Sequence, residues 1–262
     1  LLLFLGSLIF YAWGEPVYVI LMLFSSIFNY YMGTELERLY YDDRKQKINL
    51  IFSIIINLAV LVFFKYYGFL LNTIGGIIGI HIPHPELSLP IGLSFYTFRN
   101  LSYLFDIYLS KVSAQRNFLT FSVYSTMFPY TSAGPIVRYT DIETQLKQRT
   151  INISKFGIGA ELFVKGLAKK VLLADNLSVL YSSICGHPQM SVFTSWLGIL
   201  AYTMQLYFDF SGYSDMAIGL GKMLGFDFNK NFDYPYISTS VSEFWRRWHI
   251  FISRLAVIGS PL

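Results

Sequence analysis

The residues best placed to do chemistry lie near the end of the chain, in the stretch Asn231-Phe-Asp-Tyr-Pro-Tyr-Ile-Ser-Thr-Ser-Val-Ser-Glu-Phe-Trp-Arg-Arg-Trp-His249. Ser240 is followed three residues later by Glu243, the spacing of a capping box, so a helix is expected to open at Val241. On a continuous helix Trp245, Trp248, His249 and Ile252 would share one face, while Glu243, Arg247 and Arg254 point elsewhere. His249 would then sit among indole rings and aim inward. An imidazole ordinarily titrates near pH 6.5, so it can take a proton from an alcohol close to neutrality. The same placement also suits a buried histidine that merely satisfies a hydrogen bond, and the helix alone does not separate the two.

A second group lies upstream, in Tyr202-Thr-Met-Gln-Leu-Tyr-Phe-Asp209-Phe-Ser-Gly-Tyr-Ser-Asp215-Met-Ala-Ile-Gly219. Carboxylates inside an apolar span cost about 2.5–3.5 kcal/mol each on insertion scales, so they must be paired or face a polar interior. Asp209 and Asp215 are six residues apart, which turns a helix by about 600° and puts them on different faces. A joint catalytic role is thereby disfavoured. They serve either as the wall of a polar tunnel or as partners for cations on neighbouring spans. Gly212 and Gly219 are expected to allow close helix approach. A third span, Leu89 to Leu109, holds Arg99, Asn100 and Asp106, and Asp209 is the expected partner of Arg99. Lys165, Lys169 and Lys170 either meet an anionic acyl donor or snorkel to lipid headgroups.

Other chemistries find no support. His81-x-x-His84 supplies too few ligands for a metal site, and none is expected. Cys185 is the single cysteine, so neither an internal disulfide nor a cysteine cluster can form. No phosphate-binding Gly loop, Walker motif or Gly-x-Ser-x-Gly elbow is present. A net charge of +4 is small for nucleic-acid binding, and no nucleic-acid partner is expected.

The elements that must position these residues are membrane helices. Charged residues make up 14% of the chain, against about 25% in a soluble domain. Apolar runs near the 20 residues of a membrane span recur along it. Leu1 to Tyr31 should be two segments broken at Pro16. Ile48–Leu71, Leu89–Leu109, Gly157–Leu173 and Trp196–Leu220 follow. Basic loops at 33–47, 110–117, 138–155 and 222–247 should face the cytoplasm, and loops at 72–88 and 174–190, which lack Lys and Arg, should face outward. Phe118 to Ile136 has basic flanks on both sides and contains Pro129, Gly134 and Pro135, so it should be re-entrant. The expected fold is all-α, a polytopic membrane bundle with re-entrant segments in one domain over 1–262. The apolar start at Leu1 lacks the basic region of a signal peptide, and both ends read as cut.

At these residues the chain resembles the membrane-bound O-acyltransferase (MBOAT) family, in its bacterial alginate O-acetylase-like branch. The resemblance rests on Tyr11–Pro16, Leu89–Asp106, Phe128–Tyr139, Gly166–Asp175 and Tyr202–His249, and Glu-Phe-Trp-Arg-Arg-Trp-His is its most specific element. It implies acyl transfer in the cell inner membrane, from an acetyl-CoA or acyl-carrier thioester to a polysaccharide or other envelope hydroxyl. The donor would be a substrate, with no cofactor. It implies a periplasmic or extracellular acyl-transfer partner protein. It makes His249 the catalytic base, with Asp209, Asp215, Trp245, Trp248, Arg99 and Asn100 as tunnel candidates. The family pattern has a second histidine in a later Trp-His-Gly setting that this chain does not reach, and Ile250–Leu262 departs from the family's continuation, so residues 1–262 alone are expected to be inactive. A transporter or flippase is the competing class, because it too would use intramembrane charges and a re-entrant stretch. The absence of an inverted repeat counts against it.

Overall fold

The computed structural model describes residues 1–80, 83, 87–132, 134, 135, 137–187 and 190–250. His81, His84, Ile252 and Arg254 lie outside the described residues. Among those described, the regular structure is helical. The chain divides into two units, one formed by 1–132 and 138–146, the other by 133–137 and 147–262.

The first unit opens with α1 (Leu2–Gly14) and α2 (Val19–Arg38), and the break between them falls at Pro16, as the missing amide donor requires. Asp42 accepts the amide of Lys45 and starts α3 (Asp43–Ile78), which ends at Gly79 with a φ of 75°. The expected loops at 33–47 and 72–88 are therefore shorter than their polarity suggests. α2 runs on to Arg38, and α3 takes in both flanks of its apolar run. α2 and α3 are long and apolar enough to cross a membrane. Ile48, Ile51, Ile55 and Val62 of α3 face outward, as a lipid solvent favours. α4 (Leu93–Tyr108) starts at Gly92, whose φ is 73°. A Cβ there would fall 2.1 Å from the Thr131 carbonyl oxygen, so only glycine lets α4 begin against that turn. The stretch expected to be re-entrant is α5 (Phe118–Thr126), capped by Asn117, then a 3-10 turn at Phe128–Tyr130. Nine residues of helix rise about 14 Å, less than the roughly 30 Å of a hydrocarbon core. α6 (Tyr139–Lys147) follows.

In the second unit, α7 (Ile153–Ala168) continues through a π-helical turn, Lys169–Ala174, into α8 (Asp175–Cys185). The expected outward loop at 174–190 is thus mostly helix. The lack of basic residues there bears on orientation and says nothing of where a helix stops. α9 (Val192–Met223) packs along α7 through paired glycines. A Cβ on Gly159 would lie 2.6 Å from the Gly219 carbonyl, and one on Gly166 would lie 2.5 Å from that of Gly212. Backbones this close are what small residues at both faces permit. A 3-10 turn at Pro235–Ile237 and α10 (Val241–Arg247) complete the described chain.

Candidate functional site

The close α7–α9 approach sets the ionic part of the second unit. Lys169 pairs with Asp215 at 2.6 Å, and Lys170 bridges Asp209 at 2.7 Å and Asp175 at 2.9 Å. Both lysines open the π-helical turn, a kind of irregularity that often marks functional positions in helices. Asp209 and Asp215 thus have cation partners on the packed helix, and Asp215 also lines a cleft. A cleft of about 780 Å³ opens beside them, lined by Lys169, Ser211, Asp215, Lys222, Lys230 and Asn231 among others.

The segment carrying His249 starts from the predicted cap. Ser240 Oγ accepts the amide of Glu243 at 3.1 Å. The return bond differs from a standard box. Glu243 Oε2 takes the amide and the hydroxyl of Thr239, each at 2.9 Å, and not the amide of Ser240. These bonds, the amide first, hold the Glu243 carboxyl below its ordinary pKa. Arg247 is tied back to Glu243 at 2.9 Å.

The helix ends at Arg247, which corrects the expected shared face of Trp245, Trp248 and His249. Trp248 is extended, with φ −91° and ψ 125°. His249 has a φ of 45°. Two backbone bonds explain the turn. Asp233 N donates to Arg247 O at 3.0 Å, and Ile250 N donates to Asn231 O at 2.9 Å. The spacing is two residues on one segment and three on the other, so the 247–250 side carries one extra residue. His249 takes up that extra residue in the left-handed region, which glycine adopts more readily. A side chain there costs about 1–2 kcal/mol.

The result is an imidazole 9% exposed, with the Phe210 ring 5.2 Å and the Phe232 ring 6.1 Å away. Phenyl rings surround it, not indoles. Burial pushes its pKa below the ordinary value, because a desolvated imidazole disfavours its charged form. Nδ1 has no hydrogen-bond partner among the described residues. Trp248 stacks on Phe244 at 5.6 Å and meets Phe232 edge-on at 5.2 Å, bracing the same corner. Trp245 is 57% exposed and does not join it.

Arg99 and Asn100 belong to the first unit, and both are fully buried. Arg99 was expected to pair with Asp209. It instead donates to the carbonyl oxygens of Ser125 at 2.9 Å and Tyr130 at 2.7 Å, and lies 4.0 Å from the Tyr130 ring centre. The ends of α5 and of the 3-10 turn present bare carbonyls to it, and a cation at a helix C-terminus is favoured. Asp106 pairs with Arg138. Asn100 donates to Ser25 Oγ at 3.1 Å and accepts from Ser125 Oγ at 3.0 Å. No group of three or more His, Cys, Asp or Glu fit to hold a metal occurs among the described residues.

Asn231 and Phe232 were legible only as flanks of a motif. Their part in placing His249 depends on a backbone pairing that has no side-chain signature.

Comparison with known proteins completes the picture. The family model described as MBOAT, membrane-bound O-acyltransferase family, matches residues 13–254. A probable alginate O-acetylase of Pseudomonas aeruginosa is 42% identical over 257 residues, covering 97% of this chain and 49% of the relative. A peptidoglycan O-acetyltransferase of Helicobacter pylori is 33% identical over 96% of this chain and 53% of its own length. A teichoic acid D-alanyltransferase of Bacillus subtilis is 29% identical over 66% of this chain and 45% of its own length. The chain spans about half the length of the curated relatives it matches most fully.

Proposed function

The chain belongs to the membrane-bound O-acyltransferase family, and from that premise we propose that the protein acylates a hydroxyl of a cell-envelope polysaccharide, with His249 as general base. The observation that carries this reading is the setting of His249: strained at positive φ, buried, and with a ring nitrogen uncommitted. Such strain persists only where the surroundings enforce it, and it clusters at functional sites.

The chemistry follows from that setting. The ring nitrogen takes the proton of the acceptor hydroxyl as its oxygen attacks the carbonyl carbon of a thioester donor. The C–O bond forms, the C–S bond breaks, and the imidazolium returns its proton to the departing thiolate. The donor is acetyl-CoA or an acyl-carrier thioester, used as a substrate, and no prosthetic group takes part. Lys230 at the cleft suits the phosphate groups of either, whereas Lys222 is paired with Asp227 at 3.1 Å. The location we propose is the inner membrane, with the chain as a multi-pass bundle. A periplasmic or extracellular partner would carry the acyl group onward to the polymer. O-acetylation is favoured over D-alanylation because the relatives aligned over nearly the whole chain are named acetylating enzymes. The transferase names of these relatives leave transport without support.

The test is His249→Ala in the protein at its full natural length. Acylation of the envelope polymer should vanish while membrane insertion stays normal. Retained acylation would remove His249 from the mechanism.

A further inference from the structure

Two buried polar atoms on the segments around the candidate base, His249 Nδ1 and Asn231 Oδ1, lack a hydrogen-bond partner among the described residues. One can be a donor, in its protonated tautomer, and the other is only an acceptor. They sit on the two segments joined by the bond from Ile250 N to Asn231 O. An unmade bond of a buried polar group costs about 1–3 kcal/mol, so two complementary ones on paired segments call for an explanation.

We propose that Asn231 is the positioning residue for His249, with Asn231 Oδ1 accepting the Nδ1–H of the imidazole and leaving Nε2 as the basic nitrogen. The inference rests on the acyl-transfer reading of His249 given above. The Asn231 amide is already oriented for this, since its Nδ2 donates to the buried Ser214 Oγ at 3.2 Å. The oxygen is thereby left as the free end. The neighbouring rings, Phe210 and Phe232, offer the imidazole no acceptor. The charged groups on the surrounding elements are engaged elsewhere. On α9, Asp209 and Asp215 are held by Lys170 and Lys169. Asp233 lies 3.8 Å from Arg247, and on α10 Glu243 is bound by Arg247 and Thr239. A rotation of the imidazole would make the bond, and hydrogen bonds of this kind often tighten only when substrate is bound. A base oriented by a neutral amide keeps its tautomer without the large rise in basicity a carboxylate would cause.

The experiment uses the full-length protein in detergent micelles, labelled with 15N-histidine, with His249→Ala identifying the signal. The unmodified protein should show the Nδ1–H tautomer at His249. Asn231→Leu should abolish that preference and lower kcat by up to about a hundredfold with KM within about twofold, the low end of a general-base effect. Asn231→Asp should raise the His249 pKa by about one unit or more, because an opposite charge then faces the ring. Its pH–rate profile should move in the same direction. An unchanged tautomer in Asn231→Leu, or an unchanged titration in Asn231→Asp, overturns the proposal. If Asn231→Leu fails to fold, as melting would reveal, the Asn231→Asp titration decides. Retained acyl transfer in His249→Ala would instead sink the base assignment, and the spectra would still report whether Asn231 and His249 pair.

Discussion

Replacing Arg99 separates charge from geometry. Its guanidinium is fully buried, and no carboxylate pairs with it among the described residues. Its stabilisation comes from the Ser125 and Tyr130 carbonyls and from the Tyr130 ring. Lysine keeps the charge but has no planar fork, so it cannot serve both carbonyls and the ring together. It should lose at least one charge-assisted bond and the ring contact, about 3–5 kcal/mol, with an ion still buried. Methionine loses both bonds and leaves two carbonyls bare, at about 1–3 kcal/mol each. It also removes a desolvation cost of several kcal/mol. The net loss for Arg99→Met should therefore be only about 1–3 kcal/mol. Equilibrium unfolding of the purified protein in micelles measures both. The expected order of stability is wild type, Arg99→Met, Arg99→Lys. If the lysine variant is the more stable of the two, the carbonyl-fork account of Arg99 is wrong.

Other substitutions probe the second unit. Gly166→Val would drive a side chain into the Gly212 carbonyl and should destabilise by about 2 kcal/mol or more, read as a lower melting temperature. Lys169→Met strands Asp215 and should cost more than the double change Lys169→Met with Asp215→Leu, which a double-mutant cycle resolves. Ser240→Ala removes the cap of α10 and should cost about 1 kcal/mol, with faster hydrogen exchange confined to 241–247. His249→Gly should be about 1 kcal/mol more stable than His249→Ala, because glycine accepts the positive φ freely, while both variants lose acyl transfer.

Much of this architecture is written in residue types whose effect is local. Pro16 separates α1 from α2 because it lacks an amide, and Ser240 starts α10 because its hydroxyl meets a free N–H. Gly212 and Gly219 announced a close helix contact, and Gly166 and Gly159 supply its other half. Carboxylates in an apolar run demanded cations, and Lys169 and Lys170 pair with them. The partner of Arg99 was misread for a definite reason. A charge suggests an opposite charge, whereas helix-end carbonyls, which any sequence supplies, can hold a guanidinium as well.

The site itself shows where such reading stops. Trp245, Trp248 and His249 have helical spacing, and nothing in their side chains forbids the helix from continuing. What ends it is a backbone pairing with residues 231–233, across a gap of more than a dozen positions. Backbone groups are the same in every residue, so the pairing leaves no trace in the pattern. Its consequence is a histidine in a conformation that glycine would adopt more cheaply. Ser110 and Tyr234 share that conformation, so the case for His249 rests on its strain together with its burial. Both support the proposed base role of the Trp-Arg-Arg-Trp-His motif, and loss of acyl transfer in His249→Ala would bear it out.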